Sequence, residues 1–246
     1  MRKRLDQILT ERGLVPSRSR ARDAIARGLV RVGAAVAHKP GLLIDEDADL
    51  SVAAEAGTGF VSRAALKLAS ALDRFGFEPA GRVALDVGAS AGGFTEVLLA
   101  RGAAKVYAVD VGRDQLHGRL KGDPRVVSLE GLDARSLARE LVPDSIRAVV
   151  ADVSFISLTK ALPAALALAA PGAWLVALVK PQFEAGPEAV GKGGIVREAA
   201  AREAVVAKVA AWIAAEPHWR VVGAVPSPIK GGSGNVEFLL GARKDE

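Results

Sequence analysis

The stretch Val83-Ala-Leu-Asp86-Val-Gly88-Ala-Ser90-Ala-Gly92-Gly93-Phe94 passes from an apolar run to an acid, then through a glycine-rich turn into a new apolar pattern. A strand-length apolar run that yields to glycines and then to helical spacing is how a buried parallel strand feeds the helix after it. The alternation repeats downstream. Residues 83–86, 105–110, 125–129, 146–152 and 173–180 are apolar runs, each followed by a helical pattern or a loop, which predicts a parallel sheet covered on both faces. Runs 219–225 and 235–240 are joined by nine residues, too few for a crossover helix, so the last strand is expected to be antiparallel. The predicted fold class is α/β, a Rossmann-like seven-stranded sheet preceded by a small α+β domain.

Ligands of such sheets bind beyond the carboxyl ends of the strands. Gly88, Gly92 and Gly93 allow a tight turn there and close approach of a ligand to the backbone. The dinucleotide fingerprint G-x-G-x-x-G is not met, because Ser90 stands at its second glycine. Asp86 placed two residues before a Gly-x-x-x-Gly spacing instead fits S-adenosylmethionine, which has no pyrophosphate to cradle. Asp110, 24 residues on, ends the next strand and is placed to accept from both ribose hydroxyls. Asp133, after the third strand, is placed to accept from an adenine amino group. A second glycine motif, residues 186–192, has the spacing of a phosphate loop. Gly193 stands where a magnesium-binding hydroxyl belongs and Pro187 removes an amide, so nucleotide hydrolysis is not expected.

The chain has 246 residues, 50% hydrophobic and 25% charged, with no Cys and a net charge of +5. That composition excludes disorder, a disulfide scaffold, thiolate chemistry and cysteine-type metal sites. His38, His117 and His218 are too scattered to suggest a metal, and none is expected. The basic start runs directly into Leu5-Asp6-Gln7, unlike a secretory signal. Residues 161–179 carry no charge, but Pro171-Gly172 splits them into an Ala-rich helix and a strand. A cytoplasmic protein that does not enter a membrane is therefore expected.

The charge is segregated. Residues 1–39 hold ten basic and three acidic residues, a net of +7, while the other 207 hold 23 basic and 25 acidic, a net of −2. Leu5, Ile8 and Leu9 have helical spacing that ends at Gly13; Ser17 can cap a second helix over 18–27; 29–36 reads as a hairpin and 50–53 as a closing strand. Two helices on a small sheet with a basic rim suit an RNA backbone, with Arg2, Lys3, Arg4, Arg18, Arg20, Arg22 and Arg27 as contacts. The element order and the runs Arg4-Leu-Asp6 and Ser17-Arg-Ser-Arg-Ala21 resemble the S-four-type RNA-binding domain. The expected division is 1–56 for this domain, 57–61 for a linker and 62–246 for the larger domain.

Four charges fall at element ends or in apolar surroundings: Lys67 in the amphipathic helix 63–75, Asp152 ending strand four, Lys180 ending strand five, and Glu237 interrupting the last strand. Isolated buried charges are costly, so two lysines and two carboxylates are expected to pair. They could merely set sheet register. Three of the four, however, point to the ligand end, where a desolvated lysine can take the proton of a sugar hydroxyl while carboxylates orient it.

Segments covering most of the chain then resemble one family. They are Phe60-Val-Ser-Arg63 with Lys67-Leu68, Ala84-Leu-Asp-Val-Gly-Ala-Ser90 with Gly92-Gly-Phe-Thr95, Val106-Tyr-Ala-Val-Asp-Val-Gly112, Asp152-Val-Ser-Phe-Ile-Ser-Leu158, Lys180-Pro-Gln-Phe-Glu-Ala-Gly186, Val190-Gly-Lys-Gly-Gly-Ile-Val-Arg197 and Ser227-Pro-Ile-Lys-Gly231. Together they are similar to the TlyA family. The resemblance implies an FtsJ-like class I methyltransferase domain behind the S-four-type domain, and methyl transfer from S-adenosylmethionine to cytidine 2′-hydroxyls of ribosomal RNA. It also implies a catalytic set on Lys67, Asp152, Lys180 and Glu237. Cofactor contacts would come from Asp86, Gly88, Ala89, Ser90, Gly92, Gly93, Phe94, Asp110, Val111, Asp133 and Asp152, and a further RNA contact from Arg63. Ribosomal RNA or a ribosomal subunit is the implied partner, and a monomer is expected. The family commonly has Asn where Asp133 stands, and either residue accepts an amino proton. Two rival readings are a non-catalytic RNA-binding or ribosome-assembly factor, opposed by the intact charged set, and a membrane-active haemolysin, opposed by the split apolar run.

Overall fold

The computed structural model describes residues 2–15, 18–26, 28–52, 60–191, 193–231 and 234–246, without the side chains of Ser19, Arg20, Asp23 and Pro187. The expected cap at Ser17, RNA contacts at Arg20 and Arg27, and most of the linker lie outside what is described. Two compact units divide the chain, Met1–Gly59 and Phe60–Glu246.

In the first unit the basic run Arg2–Arg4 forms a strand, β1, which carries no apolar signal in the sequence. It pairs antiparallel with β4 (Leu43–Asp45), which had no signal in the sequence because of its three residues only Ile44 is buried. Between them in sequence lie α1 (Leu5–Glu11), α2 (Arg18–Ala26), β2 (Val30–Val32) and β3 (Ala35–Val36). β2 is central to a second small sheet, flanked by β3 and β5 (Leu50–Val52). Leu5, Ile8 and Leu9 from α1 meet Ala21, Ala24 and Ile25 from α2, with Val30 and Ile44 beneath, in one apolar core. Helical spacing in both helices and alternation in the strands direct these residues inward.

The second unit runs α3 (Ala64–Phe75), β6 (Val83–Val87), α4 (Gly93–Ala100), β7 (Lys105–Asp110), α5 (Gly118–Lys121), β8 (Val126–Glu130), β9 (Ile146–Ala151), α6 (Leu158–Ala161), α7 (Pro163–Leu168), β10 (Ala169–Val179), α8 (Pro181–Glu184), α9 (Ala199–Ala215), β11 (Trp219–Pro226) and β12 (Phe238–Lys244). The seven strands lie in the order β11-β12-β10-β9-β6-β7-β8. All neighbours are parallel except β12, which is antiparallel to both β10 and β11, as the short connection required. Successive residues of each central strand enter opposite cores: Ala84, Ala148, Val150, Trp174 and Val176 pack with Leu68, Leu72 and Leu98 on one face. Leu85, Val87, Val149 and Leu175 pack with Val205, Val209 and Ile213 on the other. Burial on both sides makes the strands read as unbroken apolar runs.

Two boundaries differ from expectation. β10 begins at Ala169 and carries Pro171-Gly172 within it, with Gly172 at φ 73° and a register shift before Trp174. The uncharged run 161–179 is thus the end of α6, α7 and a strand, and among the described residues no helix is long and apolar enough to cross a membrane. The last strand starts at Phe238, so Glu237 precedes it and does not interrupt it. The direction of strand addition reverses at β6: β7 and β8 are added on one side of it, β9 and β10 on the other, all parallel. A crevice opens at such a switch point, beyond Val87 and Ala151.

Candidate active site

At that switch point Asp152 N donates to Val87 O at 3.0 Å, while Gly88 N and Ala89 N donate to Val109 O at 2.8 and 3.0 Å. The loop after β6 is therefore hung from both neighbouring strands. Gly88 has φ 84°, and a Cβ there would lie 2.6 Å from Asp152 O. Gly92 has φ 94° and is covered by Leu116 and Leu120, and Gly93 is covered by Ser62 and Ala65. The close approach expected of a ligand is made by the protein itself. Ser90 also sits in the left-handed region, at φ 49°.

Asp110 holds this loop. One of its oxygens accepts from Ser90 N at 2.7 Å and the other from Gly112 N at 2.7 Å. Carboxylate oxygens have room for more than one donor, so the outward lone pairs remain for hydroxyls. Asp86 is fully buried behind the loop. Thr95 Oγ1 donates to one oxygen at 2.7 Å, and burial pushes the carboxyl up to about 7.

The four charged residues form two ion pairs. Lys67 Nζ on α3 meets Glu237 Oε2 at 2.6 Å, both side chains buried. Lys180 Nζ, just past β10, meets Asp152 Oδ1 at 2.7 Å. Ser154 Oγ also accepts from Lys180 Nζ at 2.7 Å. Ser154 was missed from sequence; its position two residues beyond a strand-end acid was the available signal. A cavity of about 150 Å³ is lined by Ser62, Ala64, Gly88, Ala89, Ser90, Ala91, Gly93, Phe94, Asp152, Ser154 and Lys180. It brings the glycine loop together with one ion pair. The Lys67–Glu237 pair is outside that lining.

Other expected contacts lie elsewhere. Val111 is exposed at the end of β7. Asp133 is half-buried and held by Arg135, whose Nε lies 3.0 Å and Nη2 2.5 Å from its oxygens, which keeps its carboxyl low, at about 2. Beyond Asp152, Phe155 is 91% exposed at φ 65° and lies 5.1 Å from the ring of Phe183. Glu184 fastens that loop, accepting from Ser157 Oγ at 2.6 Å and Leu158 N at 2.7 Å. In the first unit Arg2 is exposed, and Lys3 is engaged by Glu11 at 3.1 Å and Glu46 at 2.5 Å. Arg4, Arg18 and Arg22 surround Asp6. Arg63 precedes α3 and is half-buried.

Models of an FtsJ-like methyltransferase and of an S4 domain match residues 60–244 and 3–50. The chain is 47% identical over 242 residues to the 16S/23S rRNA (cytidine-2′-O)-methyltransferase TlyA of Mycobacterium tuberculosis, spanning 98% of this chain and 90% of that protein. This chain belongs to the TlyA family. TlyA-like architecture also extends to a solved Streptococcus thermophilus protein named as a hemolysin, with 39% identity, a TM-score of 0.77, and coverage of 100% of this chain and 89% of that one. An O-methyltransferase of Bacillus cereus solved with SAH shares the fold at 19% identity and a TM-score of 0.52, over 76% of this chain and 84% of that one. The resemblance carried by the TlyA motifs stands, as does the seven-stranded sheet with an antiparallel last strand expected from the strand pattern.

Proposed function

We propose that this TlyA-family chain transfers a methyl group from S-adenosylmethionine to the 2′-hydroxyl of a cytidine in ribosomal RNA. The observation that carries the reading is the Asp152–Lys180 pair on the wall of the cavity made by the glycine loop. The residues fit the cofactor. The outward edge of Asp110, beside a loop in which the amides of Gly88, Ala89 and Ser90 are already tied to the protein, suits the hydroxyls of a nucleoside, with Asp133 toward the adenine. The enclosed volume of about 150 Å³ is smaller than the roughly 300 Å³ at which pockets enclose whole ligands, so part of the molecule would lie along the open edge. When bound, the cofactor supplies an electrophilic methyl carbon on a sulfonium.

Lys180 does the proton work. To act as base Lys180 takes part as the neutral amine: Nζ donates to Ser154 and lies 2.7 Å from Asp152 Oδ1, and its lone pair is left for the ribose hydroxyl. As the hydroxyl oxygen took the methyl group of a bound sulfonium, which left as the thioether, the hydroxyl proton would pass to Lys180 Nζ, where the resulting ammonium is already beside the Asp152 carboxylate. Holding that hydroxyl in line with the cofactor would supply much of the acceleration. The buried Lys67–Glu237 pair ties α3 to the start of β12 and fixes the framework. The Phe155 and Phe183 rings offer an exposed face on which an unstacked base can rest. The basic first unit docks the RNA backbone.

Incorporation of tritiated methyl groups into unmodified ribosomal RNA, with mapping of the methylated ribose, tests the reaction. Lys180→Ala is expected to lower the rate by at least about 10²-fold, as loss of a proton-transfer group does, while calorimetry shows near-normal cofactor affinity. Near-normal turnover in Lys180→Ala removes Lys180 from the mechanism. No incorporation by the wild-type chain into free RNA or ribosomal subunits removes the reaction.

A further inference from the structure

Beneath three arginines of the first unit lies a carboxylate with no exposed area, that of Asp6. Its Oδ1 accepts from Arg4 Nε at 3.0 Å, and its Oδ2 accepts from Arg22 Nε at 3.0 Å, Arg18 Nη2 at 3.2 Å and Arg4 Nη2 at 3.3 Å. Arg4 ends β1, whereas Arg18 and Arg22 stand one turn apart on the same face of α2. The three arginine side chains are 46%, 49% and 57% exposed. Each gives Asp6 one or two of the five donors in its rigid fork, so outer donors of all three are presented to solvent around a single point.

Surface acids elsewhere in this unit do not behave so. Asp45 and Glu46 are about half-exposed; Asp45 meets Arg2, and Glu46 shares Lys3 with Glu11, the kind of contact solvent readily replaces. Asp6 is different in kind: a buried carboxylate stays charged at a cost unless it is fully paired, and three guanidiniums would repel one another without it. Their hydrogen bonds, above all that of Arg4, hold its carboxyl well below the usual carboxylate range. The cluster is therefore charged and assembled before any ligand arrives, with a net charge of +2 on its outer side.

We propose that Asp6 is a positioning residue for RNA binding: it gathers Arg4, Arg18 and Arg22 into one preformed seat for a backbone phosphate. The proposal rests on the RNA-docking role given to this unit and adds to it a geometry. Its consequence runs opposite to charge counting. Removing an acid from a basic surface strengthens RNA binding if the arginines act as independent charges. It weakens binding if the acid is their scaffold.

The test uses the full chain and a labelled fragment of ribosomal RNA, with affinity read by fluorescence anisotropy. Asp6→Asn is compared with Asp47→Asn, an equal change of charge at an exposed acid of the same unit. Asp6→Asn is expected to bind about tenfold more weakly, a loss of roughly 1.4 kcal/mol, and Asp47→Asn as tightly as wild type or tighter. Because an altered buried group can loosen the unit, Arg22→Lys is read beside it: net charge is kept, the fork is lost, and a loss of about fivefold is expected. Cofactor affinity should be unchanged in all three. The proposal is overturned if Asp6→Asn binds as well as wild type, or if Arg22→Lys does. A wild-type chain that binds no RNA brings down the docking role itself, and the unmutated control makes that failure recognisable.

Discussion

Asp86 links the loop of the candidate site to pH. In the unfolded chain its carboxyl ionises near the ordinary 3.8, but in the folded protein burial holds it protonated up to about 7. Between those values the folded state binds the extra proton, so stability falls as pH rises through this window and levels off above it. Asp86→Asn keeps an acceptor for Thr95 and lacks the titration. Thermal melts at pH 5 and pH 8 should therefore show wild type losing more stability than Asp86→Asn, by a few kcal/mol at most. A difference between the two proteins that stays constant over this range would contradict the assignment. The position of Asp86 at a strand end was legible in the sequence, and so was that of Asp110. That the first is sealed behind the loop and the second pins it with two backbone hydrogen bonds was not, because the same residue at the same kind of strand end can point inward or outward.

The turn between β6 and α4 depends on Gly88 for two separate reasons, its left-handed backbone and the lack of room for a Cβ against Asp152 O. Gly76, which ends α3 at φ 61°, shares the first reason and has nothing within 4 Å where a Cβ would go. Gly76→Ala should then cost about 1 kcal/mol, and Gly88→Ala about 3 kcal/mol, strain and clash together. Gly88→Ala should also lower methyl transfer, since the atom struck belongs to the residue that holds Lys180. Equal melting temperatures and equal activity in the two variants would remove the contact from the account. Long buried strands were readable as elements because two-sided burial leaves an unbroken apolar run. The short strands β1 and β4 were not readable, since Arg2-Lys3-Arg4 shows no apolar alternation and Leu43 of β4 is 58% exposed.

Across the whole chain, charge separates two kinds of binding. The +7 of residues 1–39 predicts that RNA affinity falls steeply with salt, by about 10²-fold or more between 50 and 200 mM if five or so phosphates are engaged. Cofactor affinity, proposed to draw on Asp110 and not on the basic unit, should change little over the same range. Anisotropy for RNA and calorimetry for the cofactor compare the two, and an equal response would contradict the division of labour. The sheet alternation, the antiparallel last strand, the strand-end acids, the charge segregation and the TlyA motifs are all written in contiguous residues, because periodicity and turn chemistry are local. The partners are not. Lys67 reaches Glu237 across 170 positions because β12 inserts between β10 and β11, and Asp6 collects arginines from β1 and α2 because the two helices close over one core. Which charge meets which depends on strand order and packing, free energies summed over the whole fold, and no local stretch of sequence carries that sum.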